Sequence, residues 1–565
     1  MRFFPQTLRI VKPMPAILSA VLCPLAAQAA DAAAPGTGAI LQQIQPVMPA
    51  IPSPTGTKLT IERQDSAGLP PSAPFEVKTI RITGHTVFDT PTLHALIADG
   101  EGKSLILSQL GELAARITGY YHRHGYPLAR AIIPAQAIRA GVVDIEVSEA
   151  RYGKISLGNN SRVNDPLLQD TLASLQVGQV IEQEKLDHAL LLLSDIPGVV
   201  IAATLKPGET VGTSDLLVNT THGPSVTGQV VADNYGNRYT GRARIGAMLN
   251  IFNALQRGDV ISVSGLGAGS GMNYGRMTYE TLLNGRGTRV GGAYSALHYV
   301  LGDTLASLNA HGTAKVASLW VKHPLVRSRD LNLYGHIQHD RLQLRDHIDT
   351  GALETDRSLK NWTASLAGDS RDLFLSGAVN AWNVSWTSGH VGFDNRAAQV
   401  ADAGTAKTQG SFSKWNANFA RLQTLSPKNG LYLALSGQWT GDNLDASQKM
   451  TAGGPYTVRA YDMGVISGDS GYLATIELRH DLVSGWHGSW QAVAFVDSAR
   501  VTVNTTPWVA GVNSATLSGA GVGINWTGPY LWSARAYIAR PIGAVPVLLA
   551  GTESTRAWIE IGKRF

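Results

Sequence analysis

Gly488-Ser489-Trp490-Gln491-Ala492-Val493-Ala494-Phe495-Val496-Asp497-Ser498 reads with a period of two. The even positions carry Trp490, Ala492, Ala494 and Val496, whereas the odd ones include Ser489, Gln491 and Asp497. Successive side chains of a strand point to opposite faces, so one face here suits lipid and the other a wet lumen. Strands cross a membrane only in a closed barrel, because no backbone donor or acceptor can be left unpaired in hydrocarbon. The stretch therefore calls for paired neighbours on both sides.

Working outward, such neighbours recur through residues 225–565, where sixteen alternating runs begin near 225, 241, 258, 273, 287, 313, 328, 357, 371, 411, 429, 471, 488, 515, 530 and 555. Joins after odd-numbered runs are long (299–312, 343–356, 388–410, 441–470, 499–514, 541–554), and those after even-numbered runs are short (253–257, 284–286, 323–327, 368–370, 526–529). Alternating loops and turns are the mark of a transmembrane barrel, with loops outside and turns in the periplasm. In the last run Ile559, Ile561 and Phe565 share one face, and Arg556, Glu560 and Arg564 share the other. The fold class expected is an all-β transmembrane barrel of sixteen antiparallel strands, preceded by smaller α+β domains.

Upstream, residues 1–29 read as a secretory leader: Arg2, Arg9 and Lys12, then an apolar run, then Ala27-Gln28-Ala29. The single cysteine, Cys23, falls inside it, so the exported chain is expected to carry no disulfide and no thiolate site. The formal charge of +5 drops to +2 once those three basic residues are removed, too little to indicate a nucleic-acid partner. Ile40, Leu41, Ile44 and Met48 share a helical face, predicting a short amphipathic helix over about 38–48, and the Pro-rich remainder up to residue 74 reads as a poorly structured tether. Residues 75–150 follow the order strand, helix, helix, strand, strand, and 151–224 repeat it. Two such units are an internal repeat, each with a small core of its own.

Several motifs suggest chemistry, but their context does not support it. Gly468-Asp469-Ser470-Gly471 resembles a serine-protease nucleophile turn, yet it consists of residues any loop uses, in a layout that offers no triad. His122 with His124, and His336 with His339, lack the spacings of a metal site. The glycine runs 265–271 and 519–523 are not in a strand-turn-helix setting. No catalytic residue, cofactor or metal is expected.

The order of the parts resembles the two-partner secretion transporters (TpsB family), exporters of haemolysin and filamentous haemagglutinin type whose repeats are POTRA domains. The resemblance is carried by Gly125-Tyr126 through Glu149, by Asp233-Asn234-Tyr235-Gly236 with Thr240-Gly241, and by His323-Pro324-Leu325 with Arg327-Ser328-Arg329. It is also carried by Val458-Arg459-Ala460-Tyr461 and by Phe495-Val496-Asp497. It implies that 75–150 and 151–224 are POTRA domains, that the helix near 38–48 is a plug, and that the long loop 440–470 folds back into the barrel. In that family the arginine of this loop pairs with an aspartate of strand thirteen, and the run count places Arg459 and Asp497 at those addresses. The family motifs are usually VRGY or VRGF and FxDxG; Ala460 and Ala499 stand here in place of both glycines.

The resemblance implies an outer-membrane transporter for a large secreted exoprotein with an N-terminal secretion domain (TpsA-like), caught in the periplasm by the POTRA domains and passed outward through the barrel. The alternatives are a barrel insertase, disfavoured because insertases usually carry more repeats, and a passive porin, disfavoured because porins carry none. Glu477 and Arg479 are expected to extend the Arg459–Asp497 latch. Tyr120, Tyr121 and Tyr126 are candidate exoprotein contacts, with a core or capping role equally open. Phe565 is expected to be the terminal aromatic read by the barrel assembly machinery on the way into outer-membrane lipid.

Overall fold

The computed structural model describes residues 35–44, 58–62, 70–544, 546–549 and 554–565. The leader with Cys23 and most of the tether lie outside them. Sixteen antiparallel strands close into a barrel, the first (Val226–Asp233) pairing with the last (Arg556–Arg564). Strands ten (Gly410–Ser426) and eleven (Asn429–Thr440) meet at a two-residue turn, whereas residues 441–469 separate strand eleven from strand twelve (Ser470–Gly485). One expected long join is not a loop. Strands seven (Leu331–Ile348) and eight (Leu353–Asp372) run on through most of 343–356, leaving only four residues between them. Their ends carry Arg345, His347, Glu354 and Asp356 instead of apolar residues, so the lipid-facing rhythm stops before the hydrogen-bond ladder does.

Ahead of the barrel lie two α+β units. In the first, Thr79–Thr83 and Val142–Ser148 pair in parallel and Arg130–Ile132 pairs antiparallel with the latter. Helix Thr90–Ala95 starts on Asp89, whose carboxylate accepts from the Thr92 amide at 3.3 Å, with Pro91 in its first turn. Helix Leu107–Arg123 buries Leu110, Leu113, Ala114, Ile117 and Tyr121 against Val143, Ile145 and Val147. Each buried leucine, isoleucine or valine contributes roughly 1.5–3 kcal/mol by leaving water.

The second unit pairs Arg151–Asn160, Thr213–His222 and Val199–Pro207, and adds a strand the sequence did not reveal. Lys58–Ile61, expected to be unstructured tether, lies parallel to Val199–Pro207, with Leu59 and Ile61 against the unit's core. Four residues between prolines are too short a signal to read alone; the open sheet edge next to them supplies the missing hydrogen-bond partners.

This second unit seats on the short-turn end of the barrel. Arg327 donates from Nε and Nη2 to the two carboxylate oxygens of Asp195 at 2.6 and 2.7 Å, and Arg329 donates to Asp187 at 2.6 Å. The Gly285 amide donates to Asp170 at 2.6 Å, and the barrel residue Leu282 joins the unit's core. The end of the barrel carrying loop 441–469 is therefore the end remote from the α+β units.

Candidate functional site in the barrel lumen

Loop 441–469 enters the lumen instead of standing off the rim. A two-stranded ribbon, Met450–Ala452 with Ile466–Gly468, forms its neck. Gly453 and Gly454 then turn the chain with φ of +99° and +107°, and a β-carbon on Gly453 would stand 2.3 Å from the Asp462 carbonyl oxygen. Only glycine fits that turn. At its tip Val458, Ala460 and Tyr461 are fully buried with Phe495, Ala499 and Leu517. The lumen face of strand thirteen (Gly488–Thr502), expected to be wet, is thus dry over Val493, Phe495, Ala499 and Val501, because the loop fills the space water would take.

Arg459 lies at the centre of this packing. It donates from Nε and Nη2 to the two carboxylate oxygens of Asp497 at 2.8 and 2.7 Å, and its own amide adds a third contact to Asp497 at 3.1 Å. Nη1 donates to Glu477 at 2.7 Å, and Glu477 in turn accepts from Arg479 at 2.6 and 2.9 Å. The guanidinium carbon is 3.3 Å from the Phe495 ring centre, and the Arg459 carbonyl accepts from the Trp558 indole at 2.7 Å. Arg459 is 4% exposed and Asp497 0%, so the pair is desolvated and held bidentately. A charge buried this way is costly alone: removing one partner of such a pair costs about 3–5 kcal/mol. The structure thus brings together Val458, Arg459, Ala460, Tyr461, Phe495, Asp497, Glu477 and Arg479.

Ala460 fits without its family glycine because strand fourteen (Ser514–Thr527) supplies one. A β-carbon on Gly519 would stand 2.3 Å from that of Ala460, so the glycine there leaves room for the Ala460 methyl.

Three further carboxylates hold the loop, and sequence reasoning missed their partners. Asp462 pairs with Arg242 at 2.8 Å and Arg556 at 3.0 Å. Asp445 accepts from Arg357 of strand eight at 2.7 Å. Asp469 accepts from the Leu444 and Thr505 amides at 3.0 and 2.7 Å and meets Lys449 at 3.1 Å, so the protease-like turn is a structural staple. These contacts join residues far apart in sequence, and no local pattern announces them.

The helix predicted over about 38–48 is described as Thr37–Ile44, inside the lumen; 45–48 lie outside the described residues. Ile40 and Leu41 pack with Leu297, Leu342, Leu344 and Leu444. The Thr37 amide donates to Asp346 at 2.7 Å, its hydroxyl bonds the same carboxylate, and Asp346 also pairs with Arg357. Gln43 accepts from Asn237 at 3.1 Å, and Asn237 also donates to the Met463 carbonyl at 3.1 Å, so helix and loop share a partner.

Of the tyrosines, Tyr121 is fully buried and donates to Glu149 at 2.7 Å, so it is a core residue and not an exoprotein contact. Burial pushes its hydroxyl up out of the titratable range. Burial alone would raise the Glu149 carboxyl as well, but bonds from the Thr86 hydroxyl and the Thr86 and Val87 amides hold it below its ordinary value. Tyr120 and Tyr126 are partly exposed around Phe88. His122 and His124 bond backbone carbonyls, and His336 and His339 fall on opposite faces of strand seven. Phe565 lies on the outer face at 60% exposure, its backbone paired with Gly228.

Comparison with known proteins agrees with this fold. The sequence is 26% identical to the heme/hemopexin transporter protein HuxB of Haemophilus influenzae (strain 86-028NP), over 80% of this chain and 81% of that protein. It is 24% identical to the outer membrane transporter CdiB of Escherichia coli, over 80% and 76%. The solved structure of CdiB from Escherichia coli superposes with a TM-score of 0.68 at 23% identity, covering 90% of this chain and 94% of that one. BamA from Haemophilus ducreyi lacking POTRA domains 1–3 shares the fold at a TM-score of 0.53 and 16% identity. A POTRA domain of ShlB type matches residues 75–150, and the family model for haemolysin secretion/activation protein ShlB/FhaC/HecB matches residues 212–526. The chain belongs to the haemolysin secretion/activation family of ShlB, FhaC and HecB.

Proposed function

We propose that the latched loop and the luminal helix are the resting plug of a protein-conducting pore, and that export requires both to move. The chain is an outer-membrane transporter that carries a secreted exoprotein through its barrel, with the α+β units in the periplasm. The observation that carries the plug reading is the bidentate contact of Arg459 with Asp497, buried in the path an exoprotein must take. A 29-residue segment between strands costs entropy to pin, and a desolvated multi-bond ion pair is strong enough to offset it.

The finer partner assignments belong to the same reading. An extended exoprotein chain with an N-terminal secretion domain is caught by adding a strand to an open sheet edge. The edge of the second unit beside Val199–Pro207 is already taken by Lys58–Ile61, which leaves its Arg151–Asn160 edge and the edges of the first unit, the latter with Tyr120 and Tyr126 at the adjoining helix end. The barrel assembly machinery reads the terminal strand ending in Phe565 and delivers the barrel into outer-membrane lipid, and nucleic acid has no part in the cycle. The test is Arg459→Ala. The barrel is expected to insert at wild-type level while exoprotein in the culture medium falls to background; unchanged secretion contradicts the reading.

A further inference from the structure

The outer face of the barrel carries a cluster of cations that the transport cycle does not use. Strands six (Ala310–Arg327), seven and eight place Ala317, Arg341 and Lys360 in one register row, and Lys315 lies one outward position above Ala317 on strand six. These positions alternate with lumen-facing ones, so the side chains of Lys315, Arg341 and Lys360 point outward, and all three are exposed. Beneath them toward the α+β units the same face is apolar except for His339, whose ring packs 4.5 Å from that of Trp362: Leu319 is 67% exposed, Ile337 57% and Trp362 58%. Trp386, Trp415 and Trp439 continue the aromatic level, opposite one another on strands nine, ten and eleven. Outward tryptophans mark the boundary between hydrocarbon and headgroups. The cations therefore stand at headgroup level in the leaflet remote from the α+β units.

Arg341 and Lys360 face each other directly across adjacent strands, a like-charge pairing that is unfavourable without a counter-ion. Among the described residues neither they nor Lys315 has a carboxylate within ion-pair distance. Of the outward carboxylates nearby, Asp356 meets Arg345 at 3.8 Å and Glu354 lies beside His347 at 3.9 Å. Directly opposed residues lie about 5 Å apart at Cβ and diagonal ones about 7–8 Å, which lets three cationic heads converge on one or two phosphates. Guanidinium and ammonium groups together bind phosphate by charge and by forked hydrogen bonds.

We propose that Lys315, Arg341 and Lys360 form a binding site for the phosphorylated headgroup of a lipid in the outer leaflet. The lipid supplies the counter-ion missing from the protein, and its acyl chains lie along Leu319, Ile337 and Trp362.

The test uses the full-length protein in detergent, incubated with bisphosphorylated lipid A, with the same lipid stripped of phosphate, or with lipid A plus inorganic phosphate, and retained lipid is read by native mass spectrometry. Lipid A is expected to be retained about tenfold better than the stripped lipid, and inorganic phosphate at equal concentration is expected not to displace it. Lys315→Gln/Arg341→Gln/Lys360→Gln should lower retention about tenfold, whereas Lys315→Arg/Lys360→Arg should keep it. If the triple variant does not insert, Lys360→Gln alone must lower retention in the same direction. Wild-type retention by the folded triple variant, or by that single variant, overturns the proposal. So does equal retention of the stripped lipid, or displacement by free phosphate.

Discussion

Loop 441–469 and helix Thr37–Ile44 fill one lumen but are held by different physics. The loop is anchored covalently at both ends, and Arg459, Asp445, Asp462 and Asp469 each meet an opposite charge on the barrel wall or within the loop. The helix is apolar on the side of Ile40 and Leu41, and its polar bonds are those of Thr37, Gln42 and Gln43. It is attached through residues 45–57 to the strand Lys58–Ile61 of the second α+β unit. A neutral amphipathic helix on a tether can leave and return as a unit. A segment tied by buried ion pairs moves only when something replaces its partners. The difference implies an order in which the helix yields before the loop does.

Two substitutions separate these holds, the larger effect first. Gly519→Val pushes a side chain into the methyl of Ala460, and overpacking of a closed core costs about 1–3 kcal/mol. The expected outcome is secretion reduced severalfold, with loop 441–469 opened to added protease while the barrel stays closed and inserted. Thr37→Val removes the hydroxyl that bonds Asp346 while leaving the Arg357 contacts of Asp346 and Asp445 in place, and is expected to loosen the helix at a cost of about 1 kcal/mol. Single-channel conductance should rise while secretion stays near wild type. Severe loss of secretion here, with none from Gly519→Val, would reverse the proposed order.

Much of the barrel was legible because lipid imposes a strict period of two, and the sixteen runs match the sixteen strands. Where lipid stops, that signal stops: the charged rims of strands seven and eight read as a loop although they are paired. Lys58–Ile61 was illegible because its strand identity comes from a neighbour roughly 140 residues away in sequence. Arg459 and Asp497 were legible only as addresses; the run count placed them, and a family resemblance joined them. The packing of Ala460 against Gly519 could not be read at all, since it depends on which strands face the loop tip. Tyr121 was legible only as one of two open roles, contact or core, because the buried carboxylate of Glu149 that accepts its hydroxyl and decides for the core lies 28 positions away.

The central claim is that transport depends on the contact between Arg459 and Asp497, and a charge exchange tests it most directly. Exoprotein secreted per inserted barrel is measured for Arg459→Asp, Asp497→Arg and the double variant. Arg459→Asp leaves three carboxylates together and Asp497→Arg two guanidinium groups, and each single variant is expected to secrete nothing. The double variant is expected to recover part of the secretion, and only part, because Glu477 would then face an aspartate at position 459. Single variants that secrete at wild-type level, or a double variant as inactive as both singles, would contradict the account.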